Sequence, residues 1–265
     1  MAAACASRRE IFVDRSLFSP GRKYKKCAVS RCVSISDYDQ HSRSAIRSVE
    51  DFLTLEECCS WIEYGEYLGF ERTNQKSTSE YARRQQGRVS FVDEQVAESF
   101  FHRLEPLMSE FALLDGLELH GCSSNIRLYK YDTGDCFGKH IDESNMENGS
   151  ETMFTVLLYL NGHDDGEGLL PSLTGGETKF YKGFGHKDSD LYVSVVPRAG
   201  LMLAHRHGQH CLTHEAVEVS EGCKYVLRTD LLYRIPRTVS PSRNNGLGKG
   251  RRAKSEQQSI SSYSL

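Results

Sequence analysis

The hydrophobic positions of this chain change period once. Up to residue 111 the apolar residues that repeat do so every three to four positions; from Asn125 onward they alternate. Thr54-Leu55-Glu56-Glu57 reads as a capping box, in which the Thr54 hydroxyl caps the first turn and Glu57 reaches back. Leu55, Cys58, Cys59 and Ile62 follow at helical spacing, and Gly65 and Gly69 weaken the end of that helix. A second helix is predicted from near Asp93, with Val96, Phe100, Leu104, Leu107 and Phe111 on one core-facing stripe. Between the two, the polar run 77–88, carrying Arg83, Arg84 and Arg88, reads as a solvated loop or as a lid over a site.

Beyond them come short strands. Residues 125–131 alternate, Asp132-Thr133-Gly134-Asp135 turns the chain, and 137–142 forms the next strand. The run 152–160 is almost wholly apolar, as expected of a central strand. Further strands are expected at 175–181, 192–197, 200–205, 214–219 and 224–234. Helices first and many short strands after them give an α+β class, a jelly-roll core with N-terminal supporting helices. The folded domain is expected over 48–236. A flexible arm precedes it over 1–47, and a low-complexity Ser/Arg/Gly-rich tail, 237–265, lies outside the fold.

Composition refines this picture. With 265 residues and 38% hydrophobic content the chain can bury one sizeable core. The net charge of -3 hides an uneven distribution, since residues 48–236 hold 17 basic and 31 acidic side chains. An acidic body repels phosphate backbones, so nucleic acid is not an expected partner of the core. The basic tail reads as solvated, with RNA, a membrane or an import receptor as its alternatives. Nine scattered cysteines, an odd number, fit a reducing compartment, cytosol or nucleus. The start lacks the apolar stretch of a secretory signal, and acidic residues dilute its likeness to a transit peptide. No run reaches the ~20 apolar residues of a membrane span, so no membrane partner is expected. The oligomeric state is not written in the sequence.

Candidate chemistry centres on His140-x-Asp142. Two residues apart on a strand, both side chains leave from one face. A second histidine would complete the two-His, one-carboxylate facial triad of non-haem Fe(II) oxygenases, which leaves positions for substrate and O2. His214 offers it, but His205, His207 and His210 crowd before it, and His205-x-His207 also has a zinc-like spacing. An oxo-acid co-substrate needs a cation inside the barrel. Lys224 lies ten residues past His214, and Arg228, four further on, faces the same side. Tyr131 and Tyr159 are inward phenols or plain aromatic core. Glu143 reads as a supporting or surface acid, and Cys136 and Cys211 as inert small hydrophobes.

Several ordered motifs extend the pattern. They are Tyr131-x-x-Gly134-x-x-Phe137-x-x-His140-x-Asp142, Thr155-x-x-x-Tyr159-Leu160-Asn161, Gly175-Gly176-Glu177-Thr178-x-Phe180, and His214-Glu215 followed by Gly222-x-Lys224-Tyr225. Together with Asp51-Phe52-Leu53 and the capped helix, they resemble the prolyl 4-hydroxylase branch of the 2-oxoglutarate/Fe(II) dioxygenases over roughly 48–236. The resemblance implies a double-stranded β-helix with iron held by His140, Asp142 and His214. It makes Lys224 the anchor of the 2-oxoglutarate carboxylate, helped by Tyr131 and Tyr159, with Arg228 as the alternative cation. The implied chemistry uses Fe(2+), O2 and 2-oxoglutarate, with ascorbate (vitamin C) restoring oxidised iron. Peptidyl proline, in a peptide or protein, is the acceptor it implies; a small-molecule acceptor stays open. Arg228 and Arg234 also resemble the R-x-x-x-x-x-R signature of AlkB-like demethylases. A non-catalytic sensor or binding module and a cupin-type zinc or manganese enzyme are the readings from other classes.

Overall fold

Helix α1 (Leu55–Leu68) begins where the sequence places it, because both halves of its capping box form. The Glu57 amide donates to Thr54 Oγ1, and the Thr54 amide donates to Glu57 Oε2. Glu57 is fully buried, and its carboxylate also meets Arg103 at 3.0 Å. Helix α2 (Glu94–Leu104) is capped by Asp93. Pro106 then tightens the chain into a 3-10 segment, Glu105–Phe111, so the predicted stripe spans two elements.

The computed structural model describes residues 46–78, 82–163, 168, 170–181 and 191–236. Residues 1–45 of the expected arm and the tail 237–265 lie outside the described residues. Ile46 and Arg47, expected in the arm, instead open strand β1 (Ile46–Val49). Then come β2 (Glu71–Gln75), β3 (Arg84–Val92), β4 (Leu113–Leu114), β5 (Leu117–Cys122), β6 (Asn125–Asp132), β7 (Cys136–His140), β8 (Met146–Glu147) and β9 (Ser150–Tyr159). The remainder are β10 (Leu173–Gly175), β11 (Thr178–Tyr181), β12 (Leu191–Val195), β13 (Met202–Arg206), β14 (His214–Ala216) and β15 (Val219–Arg234).

Every described pairing is antiparallel. One path runs β1-β13-β9-β15-β6-β3 and continues β7-β14-β11-β12. Strand β3 is the seam between the two walls, pairing with β6 from Gly87 to Val92 and with β7 through Arg84 and Gln85. Side chains of both walls line one cavity, so the sheet curls on itself as a jelly roll. Two expectations are corrected here. From Arg84 on, the run read as loop or lid is strand β3, while 79–81 lie outside the described residues. The strand carrying His140 ends there, so Asp142 sits in the irregular segment that follows.

Alternation sorts the long strands into two faces. Phe154, Val156 and Leu158 of β9, Ile126 and Leu128 of β6, and Leu227 and Leu231 of β15 pack in one core with Trp61, Phe100 and Leu104 from the helices. Their neighbours Tyr129, Tyr131, Tyr159 and Val226 face the barrel interior with Phe180, Leu203 and Leu212. No disulfide joins the six described cysteines, and no helix among the described residues is long and apolar enough to cross a membrane.

Candidate active site

His140 and His214 are direct register partners on β7 and β14, which sets their ring centroids 4.3 Å apart. Phe137 stacks on His140 at 3.6 Å, and Phe180 lies over His214 at 5.4 Å, so neither ring turns freely. His140 Nδ1 lies 2.8 Å from the Gly138 carbonyl, and His214 Nδ1 lies 3.0 Å from that of Leu212. A carbonyl only accepts, so each Nδ1 carries the proton and each Nε2 is left with its lone pair. Those lone pairs face Asp142, with His140 Nε2 at 3.8 Å and His214 Nε2 at 4.0 Å from its carboxylate oxygens. The three ligand atoms offered by His140, Asp142 and His214 lie within 4.8 Å of one another.

Electrostatics keep this set ready for a cation. Burial, reinforced by His214, lowers the His140 pKa to about 3, and burial lowers that of His214 as well. Both imidazoles are therefore neutral at ordinary pH, the form that binds a metal. Burial raises the Asp142 pKa, but the Arg228 guanidinium outweighs it and holds the carboxyl well below its usual range. Arg228 Nη1 lies 3.3 Å from Asp142, and its Nε lies 3.1 Å from Asp230. Thr155 donates to Asp142 at 2.6 Å, fixing one carboxylate oxygen. Two imidazoles with pinned tautomers around an ionised carboxylate fit a divalent cation.

Lys224 marks the other end of the cavity. It is 2% exposed and donates to the Gly176 carbonyl at 2.6 Å, while Tyr131 and Tyr159 flank its ammonium at 5.4 and 5.3 Å. Among the described residues no carboxylate forms a salt bridge with it, and burial lowers its pKa to about 7. Gly176 has φ +72, and a Cβ there would press on the Lys224 stem at 3.1 Å, so a glycine suits this position. The Tyr159 hydroxyl meets Thr178 Oγ1 at 2.6 Å. Counting its open mouth, the space between the two walls is about 480 Å3.

The structure thus brings His140, Asp142, His214, Lys224, Tyr131 and Arg228 to one cavity, whereas Tyr159, fully buried beside Lys224, does not line it. Arg234 is elsewhere, paired with Glu118 at 3.0 Å; a register irregularity between Leu231 and Tyr233 interrupts the alternation that would align it with Arg228. Arg84, Tyr129 and Thr178 also line the cavity. Tyr129 was within reach of the sequence, two residues from Tyr131 on the same face, whereas Arg84 was hidden by the loop reading. His205, expected at a loop or the barrel mouth, is 2% exposed on β13 and lines the cavity. His207 is spoken for by Thr155 at 2.7 Å, and His210 lies in a 3-10 turn.

Residues 126–229 match the family model described as 2OG-Fe(II) oxygenase superfamily. Among curated proteins there is no match. Solved structures similar to this one include the viral collagen prolyl hydroxylase of Paramecium Bursaria Chlorella virus-1 in complex with 2OG. It is 16% identical, covers 72% of this chain and 96% of its own, and has a TM-score of 0.47. A prolyl-4-hydroxylase of Pseudomonas putida is 18% identical, with coverages of 70% and 91% and a TM-score of 0.44. A prolyl hydroxylase from Trichoplax adhaerens, solved with a hypoxia inducible factor peptide fragment, is 17% identical, with coverages of 70% and 82% and a TM-score of 0.46. The segment that matches the 2OG-Fe(II) oxygenase superfamily model contains all three residues of the His140, Asp142 and His214 cluster.

Proposed function

We propose that this protein is an Fe(II)- and 2-oxoglutarate-dependent dioxygenase that hydroxylates an unactivated C–H bond, with peptidyl proline or a related residue as acceptor. The observation that carries this reading is the paired Nδ1 anchoring of His140 and His214, which aims two neutral Nε2 lone pairs at the Asp142 carboxylate. Iron held by these three residues would supply the oxidative decarboxylation of 2-oxoglutarate to succinate and CO2, coupled to hydroxylation of the acceptor.

The chain's own residues do the rest. Lys224, a buried cation without a carboxylate partner among the described residues, receives the distal carboxylate of the co-substrate. Tyr131 and Tyr159 wall that end and keep water from it. Arg228 neutralises Asp142 and Asp230, so its guanidinium is committed before any co-substrate enters. This favours Lys224 over Arg228 as the anchor. The displaced Arg234 speaks against the demethylase reading, whose signature pairs it with Arg228. Ascorbate as the reductant, proline as the acceptor and a reducing compartment rest on the sequence motifs and the cysteine usage.

The test is a succinate-release screen with Fe(II), 2-oxoglutarate and ascorbate against peptide and metabolite pools, reading a mass gain of one oxygen atom in the acceptor. His140→Ala and Asp142→Ala should abolish turnover while the melting profile of the metal-free protein changes little. Iron-loaded protein that never forms succinate would refute the proposal.

A further inference from the structure

A second concavity lies outside the barrel cavity and shares no lining residue with it. It runs between helix α2, strand β5 and the turn that joins β8 to β9, and counting its open mouth it encloses about 1000 Å3. Glu94 and Glu98, four residues apart, put two carboxylates on the α2 side. Glu147 puts a third on the β8 side, where it accepts from the Ser123 hydroxyl at 2.7 Å. Phe101, Cys122 and Leu232 add apolar surface to the lining. No lysine or arginine lines this groove. Glu98 has His102 at 3.8 Å, and Glu94 and Glu147 form no salt bridge among the described residues. An acidic groove with an apolar lining suits a cationic chain segment and repels phosphates.

We propose that residues 237–254 of this same chain dock in the groove. That segment carries Arg237, Arg243, Lys249, Arg251, Arg252 and Lys254 and no acidic residue. It also carries Val239 and Leu247, apolar side chains that can cover the apolar lining. Strand β15 delivers the segment to the place, because Leu232 lines the groove and Pro236 is four residues further on. At ~3.5 Å per residue an extended chain reaches about 25 Å from Pro236 to Arg243. The 11 residues of α2 span only about 16 Å. The tether also holds the segment near the groove at an effective concentration on the order of millimolar, which a separate basic peptide would have to match. Residues 1–45 are basic too, but they join the fold at β1, and neither β1 nor its partner β13 lines the groove. Exposed ion pairs are individually weak and screened by salt, so several act together with the apolar contacts, and salt releases the segment. The inference goes beyond the oxygenase reaction and is independent of the metal site.

Carbodiimide cross-linking of the full chain, read by mass spectrometry, tests this directly, because it joins a carboxylate to a lysine amine only where the two touch. Lys249 and Lys254 should link to Glu94, Glu98 or Glu147 at low salt. The links should vanish in about 1 M salt, where the Debye length is ~3 Å. In an equal mixture of unlabelled and heavy-isotope-labelled protein, each link should stay within one isotope. Mixed-isotope links would assign the groove to a second copy, and links from lysines of residues 1–45 would assign it to the arm; either overturns the inference. So does the absence of links from Lys249 and Lys254 to these three carboxylates, or links that survive the salt. As a second reading, the backbone amide NMR signals of residues 237–254 should differ between the wild type and the Glu94→Gln/Glu98→Gln/Glu147→Gln variant, and the wild-type signals should move to the variant's positions in the same salt. Identical spectra at low salt would overturn the inference. If the triple variant does not fold, the wild-type cross-links decide alone.

Discussion

Lys224 is the residue whose surroundings make the sharpest demand. Its ammonium has a carbonyl and two aromatic faces as neighbours, and burial brings its pKa down to about 7 from the usual 10.5. Between those values the unfolded chain binds a proton that the folded chain does not, so stability rises with pH across the window and is lost as pH falls toward 7. The metal-free protein should melt at a higher temperature at pH 8.5 than at pH 7, and Lys224→Met should flatten that rise in a calorimetric series. The range stops there because buried Cys211, raised to about 12 from 9, begins to act in the opposite direction above pH 9. A bound carboxylate would restore the lysine's charge. Binding of 2-oxoglutarate at pH 8 should therefore take up a proton, readable by titration calorimetry in buffers of different ionisation enthalpy. In kinetics, Lys224→Ala should chiefly raise the 2-oxoglutarate requirement, whereas Arg228→Ala should weaken metal retention by stripping Asp142 of its partner. A silent Lys224→Ala beside an Arg228→Ala that raises only the 2-oxoglutarate requirement would exchange their roles.

At the scale of elements, one carboxylate both caps helix α1 and ties it to α2. Glu57 closes the capping box and meets Arg103 of α2, while Arg103 also donates to the Phe52 carbonyl. Thr54→Ala removes a cap only, a loss of about 1 kcal/mol. Glu57→Ala leaves a buried guanidinium without its partner as well and should cost about 3–5 kcal/mol. Urea unfolding of both variants checks this, and equal losses would show that the ion pair adds nothing to the cap. Strand β15 carries the other strong local constraint. Gly222, at φ +77, would bring a Cβ within 2.0 Å of the Ser172 carbonyl oxygen, two residues before Lys224. The glycine lets the strand begin close beside β10 and deliver the lysine to the cavity.

The whole molecule is a curled sheet backed by a helical layer, with metal chemistry proposed on the inner face and helix packing on the outer. Trp61 is 1% exposed and packs between Phe91, at 6.2 Å, and Phe100, at 6.1 Å. Trp61→Ala should cost about 3–5 kcal/mol of stability. Because the outer core is separated from the cavity by the sheet, metal affinity per folded molecule should stay near that of the wild type. Thermal melts with and without Fe(II) measure both, and metal at 100 times its dissociation constant should add about 2.7 kcal/mol to either protein. A variant that melted early and also lost its metal response would show that the helical layer shapes the site.

Periodicity in the sequence was enough to determine both helices and the order of most of the principal strands along the chain. Caps and alternation depend on neighbours a few residues apart, so they can be read without a fold. The same logic put Lys224 and Arg228 on one side of β15, and the ordered motifs brought His140, Asp142 and His214 together as a candidate set. Tertiary structure decided what each group meets. It ended β7 at His140, turned the presumed lid into strand β3, gave Arg228 to two carboxylates and, among the described residues, left Lys224 without a salt bridge. It also moved His205 from the barrel mouth to the cavity wall. Those outcomes depend on pairings between β7 and β14 and between β9 and β13, whose register is set by distant segments meeting in space.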